Sequence, residues 1–80
     1  MTMVEAIALR ILNLCKERNI TPNKLSTISG MTQSTINNII NTGSKNPTVS
    51  TIKKICDGLE ITLSDFFDDE LFTSLEQEIK

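Results

Sequence analysis

The 80-residue chain has no histidine, tryptophan or tyrosine, and only three glycines, two prolines and two cysteines. Its aromatics are Phe66, Phe67 and Phe72. Each shortage excludes something. Without histidine the commonest general base is missing, and neither a Gly-rich phosphate loop nor a nucleophile elbow is present. So short a chain also has little room for a deep pocket, so an enzyme is not expected. Cys15 and Cys56 belong to no Cys-x-x-Cys pair, which argues against a metal site. Set among apolar helical neighbours, they read as buried free thiols rather than a disulfide. No metal and no cofactor are expected. No apolar run approaches the roughly 20 residues of a membrane span. The N-terminus lacks a basic region followed by a continuous apolar stretch. A cytoplasmic protein with no membrane partner is the expectation.

What is present is aliphatic and helical in its spacing. Val4, Ile7, Ile11, Leu14 and Cys15 follow the i, i+3, i+4, i+7 pattern of one helix face, predicting a first helix over 3–18. Thr21 caps a second helix with Pro22 at its first position, running to about Ser29 with Leu25 and Ile28 inward, and Gly30 stops it. Thr32 caps a third over 33–41, with Ile36, Ile39 and Ile40 on one face. Thr48 opens a fourth over 49–59, which Gly58 helps to stop, and Thr62 a fifth over 63–68. Leu71, Phe72, Leu75 and Ile79 give the tail the spacing for a short sixth helix. The fold class is therefore all-α: a compact bundle of five helices in one small domain.

The stretch "GMTQSTINNIINTGSKNP", Gly30 to Pro47, holds a single charged residue, Lys45. Ser, Thr and Asn are mediocre helix formers, so a helix built from them is hard to justify by stability alone. Two short helices joined by a tight Gly-containing turn are the elements of a helix-turn-helix. Leu25, small Ser26, Gly30, Met31, Ile36 and Ile39 form a set that lets two helices cross closely. Ser29 departs from it, since an apolar residue is more usual there.

Charge is divided along the chain. Residues 1–56 carry Arg10, Lys16, Arg18, Lys24, Lys45, Lys53 and Lys54 against Glu5 and Glu17, a net of +5. Residues 57–80 carry Lys80 against Asp57, Glu60, Asp65, Asp68, Asp69, Glu70, Glu76 and Glu78, a net of −7. A basic body with an acidic end suits binding of a polyanion through one face. A simply solvated acidic surface explains the same numbers.

From about Ile7 to Phe67 the chain resembles the phage repressor/Cro-type helix-turn-helix family, also called XRE-type or lambda-repressor-like. The residues carrying the resemblance are "RILNLCKERNIT", "KLSTISGMTQSTINNI" and "GSKNPTVSTIKKICDGLEITLSDFF". The resemblance implies a DNA-binding domain over residues 1–68, followed by an acidic extension over 69–80. It also implies that the third helix enters the major groove of double-stranded DNA. Carried over by position, the base readers are Gln33, Ser34, Asn37 and Asn38, whose amides and hydroxyls suit base edges, adenine especially. The phosphate contacts are Thr21, Asn23, Lys24, Thr32, Asn41, Ser44, Lys45 and Asn46. One position departs: the family commonly has Gln or Glu directly after the first capping Thr, whereas Pro22 offers no side-chain donor. That shifts weight to Asn23 and Lys24.

The implied function is a sequence-specific transcriptional regulator, a repressor acting as a homodimer. The alternative is a protein-binding module, such as an antitoxin or anti-regulator, whose acidic C-terminal end meets a partner protein. The tail stripe of Leu71, Phe72, Leu75 and Ile79 serves either a dimer interface or a cover for the core.

Overall fold

The computed structural model describes residues 1–42 and 46–79. Five α-helices follow one another among the described residues: α1 Met3–Arg18, α2 Pro22–Ile28, α3 Gln33–Asn37, α4 Val49–Leu59 and α5 Leu63–Phe67. The end of α3 widens into a π-helical turn, Asn38–Thr42, and a 3-10 turn, Glu70–Phe72, follows α5.

Every one of these α-helices opens on threonine. The hydroxyls of Thr2, Thr21, Thr32, Thr48 and Thr62 each accept the backbone N–H three residues on, satisfying a donor the helix cannot. At Thr2 and Thr62 the bond is returned by Glu5 and Asp65, closing a capping box. Four of these caps follow from the sequence pattern; Thr2, with Glu5 three residues later, fits the same signature. The fourth residue after each threonine (Ala6, Leu25, Ile36, Ile52, Phe66) is buried.

Three connections share one construction. Asn19, Gly30 and Glu60 take left-handed conformations, with φ of 59°, 66° and 58°. The next residue's N–H then reaches back to a carbonyl five residues earlier: Ile20 to Cys15 at 3.0 Å, Met31 to Ser26 at 2.9 Å and Ile61 to Cys56 at 2.9 Å. Ile20, Met31 and Ile61 pack against the core, and the capping threonine of the following helix comes next. One apolar residue therefore closes one helix and pins the start of another.

The core joins Ile7, Ile11, Leu14 and Cys15 of α1 with Leu25, Ile36 and Ile39, the α4 stripe Ile52, Ile55, Cys56 and Leu59, and Phe66 of α5. Phe66 is the largest fully buried side chain. Both cysteines are buried free thiols, and burial pushes their pKa values up.

Four details depart from the sequence pattern. Ile28, expected inward, is 37% exposed, because the buried face of α2 runs through Leu25, Ser26 and Ser29 and leaves Ile28 at its edge. Val4, at the start of the α1 stripe, is only half-buried. Gly58 does not end α4, whose cap is Glu60. Instead, a Cβ at Gly58 would lie 2.8 Å from Ser29 Oγ and 2.9 Å from the Ile28 carbonyl oxygen, so this glycine lets the end of α2 press onto α4. The tail, finally, forms only the 3-10 turn, and residues 73–79 are not helical. Asp69 caps that turn through the Leu71 N–H at 2.9 Å, and the Thr73 hydroxyl donates back to the Glu70 carbonyl at 2.8 Å. Such local side-chain bonds compete with a continuing helix.

The 3-10 turn brings Phe72 onto Phe66 and Phe67, with ring centroids 6.2 and 5.0 Å apart. Arg10 fastens this end to α1. Its Nε and Nη2 donate to the carbonyls of Phe66 and Asp65 at 2.8 and 2.9 Å, and Nη1 pairs with Asp69 at 3.3 Å.

Candidate nucleic-acid interface

Helices α2 and α3 pack on each other across the Gly30 turn. Buried Ser26 makes the close crossing possible, and its hydroxyl donates to the Asn23 carbonyl at 2.6 Å. Ile36 and Ile39 are buried and anchor α3. The opposite side of α3 is then free of packing duties. Gln33 and Ser34, on its first turn, are exposed, and Asn37 is half-buried. Among the described residues the side chains of these three make no hydrogen bond within the fold. Asn38 is exposed and begins the π-helical turn.

The residues assigned to phosphate surround this turn. Thr21 and Thr32 are exposed and already accept from Lys24 N–H at 3.1 Å and Thr35 N–H at 3.2 Å. A hydroxyl that accepts a cap bond keeps its proton to donate. Asn23, Lys24, Asn41 and Asn46 are exposed. Ser44 and Lys45 lie outside the described residues. Between α3 and the start of α4 lies an open cavity of about 160 Å³, lined by Thr35, Asn38, Ile39, Asn46, Pro47, Thr48 and Thr51. The sequence reading passed over Thr35, Thr48 and Thr51 as parts of this surface. Their signal was the repeated spacing Thr32-x-x-Thr35 and Thr48-x-x-Thr51, which pairs the hydroxyls at 2.9 and 3.1 Å.

The charge division is altered by the fold. Arg10 is engaged with Asp69, and Lys53 pairs with Asp57 one turn along α4. Among the described residues Lys16, Arg18, Lys24 and Lys54 are exposed cations that make no ion pair. On the acidic side, Glu76 pairs with the Met1 amine at 3.3 Å. No group of three or more metal-ligating side chains is gathered among the described residues, and none of their helices is long and apolar enough to cross a membrane.

The first turn of α3 is thus exposed and uncharged, on a helix held at a glycine turn. The family of Cro/C1-type HTH DNA-binding domains matches residues 10–71. The chain belongs to that family. The Cro/C1-type fold extends to solved structures. Prophage Lp1 protein 11 is similar at 35% identity with a TM-score of 0.81, over 94% of this chain and 99% of that one. C.Esp1396I, solved as a nucleoprotein complex, superposes with a TM-score of 0.77 at 22% identity, over 84% of this chain and 86% of that one, a likeness of fold alone. No curated protein matches in sequence. The Cro/C1-type family and fold are those of DNA-binding regulators rather than enzymes.

Proposed function

We propose that this Cro/C1-type domain is a sequence-specific transcriptional repressor that reads the major groove of double-stranded DNA with residues 33–41 and works as a homodimer in the cytoplasm. The observation that carries the reading is the first turn of α3, where Gln33 and Ser34 are exposed and unbonded within the fold. Buried isoleucines behind them fix the helix, so their side chains meet a base edge without a large ordering cost. Gln presents a donor and an acceptor together, the pattern of adenine N6 and N7. Asn37 and Asn38 extend the reading along the helix.

Thr21, Asn23, Lys24, Thr32, Asn41 and Asn46, with Ser44 and Lys45, set the register on the phosphates. Lys24 is the one cation among these on the described residues. A protomer with so little charge binds weakly, which favours a two-fold dimer over two half-sites roughly 34 Å apart. That C.Esp1396I forms a nucleoprotein complex with this fold supports the choice of partner. The protein-binding alternative has less support, since Asp69 of the acidic end is held by Arg10 and Glu76 pairs with the Met1 amine at the surface.

Selection of bound sequences from random duplex DNA tests the proposal. The expected product is a palindrome with half-sites one helical turn apart, whose log affinity falls by about 0.9 per phosphate contact for each tenfold rise in salt. Recovery of unenriched sequences would reject base reading.

A further inference from the structure

Thr35 stands at the third position of α3 and is exposed, yet it is not among the residues assigned above to bases or phosphates. Its hydroxyl is engaged inside the fold. Thr32 Oγ1 and Thr35 Oγ1 lie 2.9 Å apart, and Thr32 Oγ1 also accepts the Thr35 N–H. With the hydroxyl partly committed to Thr32, the methyl group is the part of Thr35 that makes no bond within the fold. The same hydroxyl pair recurs at Thr48 and Thr51, but there the second threonine is half-buried.

Thr35 also walls the cavity between α3 and α4, together with Ile39 and Pro47, and among the described residues no charged side chain lines it. Ile39 and Pro47 thus give an apolar wall to a notch, otherwise lined by Thr and Asn, that adjoins the turn bearing Gln33 and Ser34. Base edges in the major groove present donors, acceptors and one kind of apolar group, the C5-methyl of thymine, which 5-methylcytosine shares. Resting on the DNA-reading proposal, we infer that Thr35, backed by Ile39 and Pro47, seats a pyrimidine C5-methyl group. Thr35 is then a specificity-determining residue that works by shape, beside neighbours that work by hydrogen bonding.

The test uses a duplex that the protein binds selectively. Each thymine is replaced in turn by deoxyuracil, and in a second series each cytosine by 5-methylcytosine. Affinities are measured by fluorescence anisotropy for the wild type, Thr35→Ser and Thr35→Val. Serine keeps the hydroxyl pair and deletes the methyl; valine keeps the methyl. Loss of one thymine methyl is expected to weaken the wild type about fourfold, the worth of one buried methyl-sized group. Thr35→Ser is expected to bind parent and deoxyuracil duplexes alike, and Thr35→Val to keep the difference. A comparable gain on a 5-methylcytosine duplex, with no loss on deoxyuracil, assigns the seat to methylated cytosine. Two outcomes overturn the inference while leaving DNA reading intact: selective binding indifferent to every methyl change, or Thr35→Ser discriminating as strongly as the wild type. If no duplex is bound selectively, the DNA-reading proposal falls and takes this one with it. Thermal melts of both variants establish that the comparison is between folded proteins, and Thr35→Val alone still tests the methyl if serine unfolds the helix.

Discussion

Arg10 and Phe66, 56 positions apart, are joined by a 2.8 Å hydrogen bond from the guanidinium Nε to the Phe66 carbonyl oxygen. This bond and its companions to Asp65 and Asp69 tie the last helix and the acidic end to α1. The side chain of Arg10 is only 11% exposed, so removing it strands the Phe66 carbonyl in a partly buried site, whereas the Asp65 carbonyl keeps the Asp68 N–H.

Arg10→Ala is accordingly expected to lower stability by about 3 kcal/mol, and Arg10→Lys, which cannot span three acceptors in a plane, by an intermediate amount. Urea unfolding followed by circular dichroism measures both. A loss under about 1 kcal/mol for alanine would show that the clamp is ornamental.

Ser29 and Gly58 form a close approach between the end of α2 and α4. Ser29 Oγ is buried without a hydrogen-bond partner among the described residues. Ser29→Ala is therefore expected to be neutral or stabilising by up to about 1 kcal/mol. Gly58→Ala gains helix propensity but drives a methyl against backbone, for a net loss of about 1–2 kcal/mol. In the double variant part of that loss should return, since the serine hydroxyl is the nearest obstacle; strict additivity would contradict the contact.

Gly30 and Glu60 hold nearly the same left-handed φ with different residue types. Gly30→Ala should cost about 1 kcal/mol from backbone strain alone, as open space surrounds its added Cβ. Glu60→Gly should gain roughly 0.5–1 kcal/mol by relieving the same strain. Chemical denaturation of the pair checks the opposite signs.

Acid should loosen the start of α1. The Thr2 N–H, and then the Thr2 hydroxyl, hold the Glu5 carboxyl below its ordinary pKa of 4.5. A folded pKa below the unfolded one gives stability that is complete above 4.5 and lost as pH falls through the lower value. Glu5→Gln should flatten this part of the acid unfolding curve. At the alkaline end the thiol pKa values of Cys15 and Cys56 are raised, so the stability they add is lost as pH climbs past 9.0, their ordinary value.

Gln33→Ala, finally, should weaken binding to the selected site by roughly 1–3 kcal/mol and leave non-specific binding nearly unchanged. Equal loss on all sequences would remove Gln33 from the base readers.

The helices were legible because each signal was local. Threonine caps, a left-handed residue and the 3.6-residue apolar stripe act within about five positions, and they place α1 and α4 at 3–18 and 49–59 as the pattern predicts. What the pattern missed depends on neighbours far along the chain. Arg10 reads as one more cation until Asp69 is brought beside it, and Gly58 reads as a helix stop until Ser29 arrives. Ile28 fits the apolar periodicity of α2 yet faces outward, since a seven-residue helix buries only a narrow stripe. The tail's apolar spacing was real but was overridden by the Asp69 and Thr73 bonds to the backbone. In the first turn of α3, the lack of packing was legible from polar residues around Ile36. The closed hydroxyl pair of Thr32 and Thr35 needed side-chain geometry.

The three matching helix connections also bear on how quickly the chain finds its shape. Each sets a chain reversal from atoms no more than six residues apart, so most of the topology is specified before distant segments meet. Low contact order of this kind goes with folding in microseconds to milliseconds. The chain-spanning contacts, the docking of Phe66 and its carbonyl onto Arg10 and the pairing of Met1 with Glu76, are then the last to form. Substitutions in the three connections should therefore change the rate of folding, and substitutions at Arg10 chiefly the rate of unfolding.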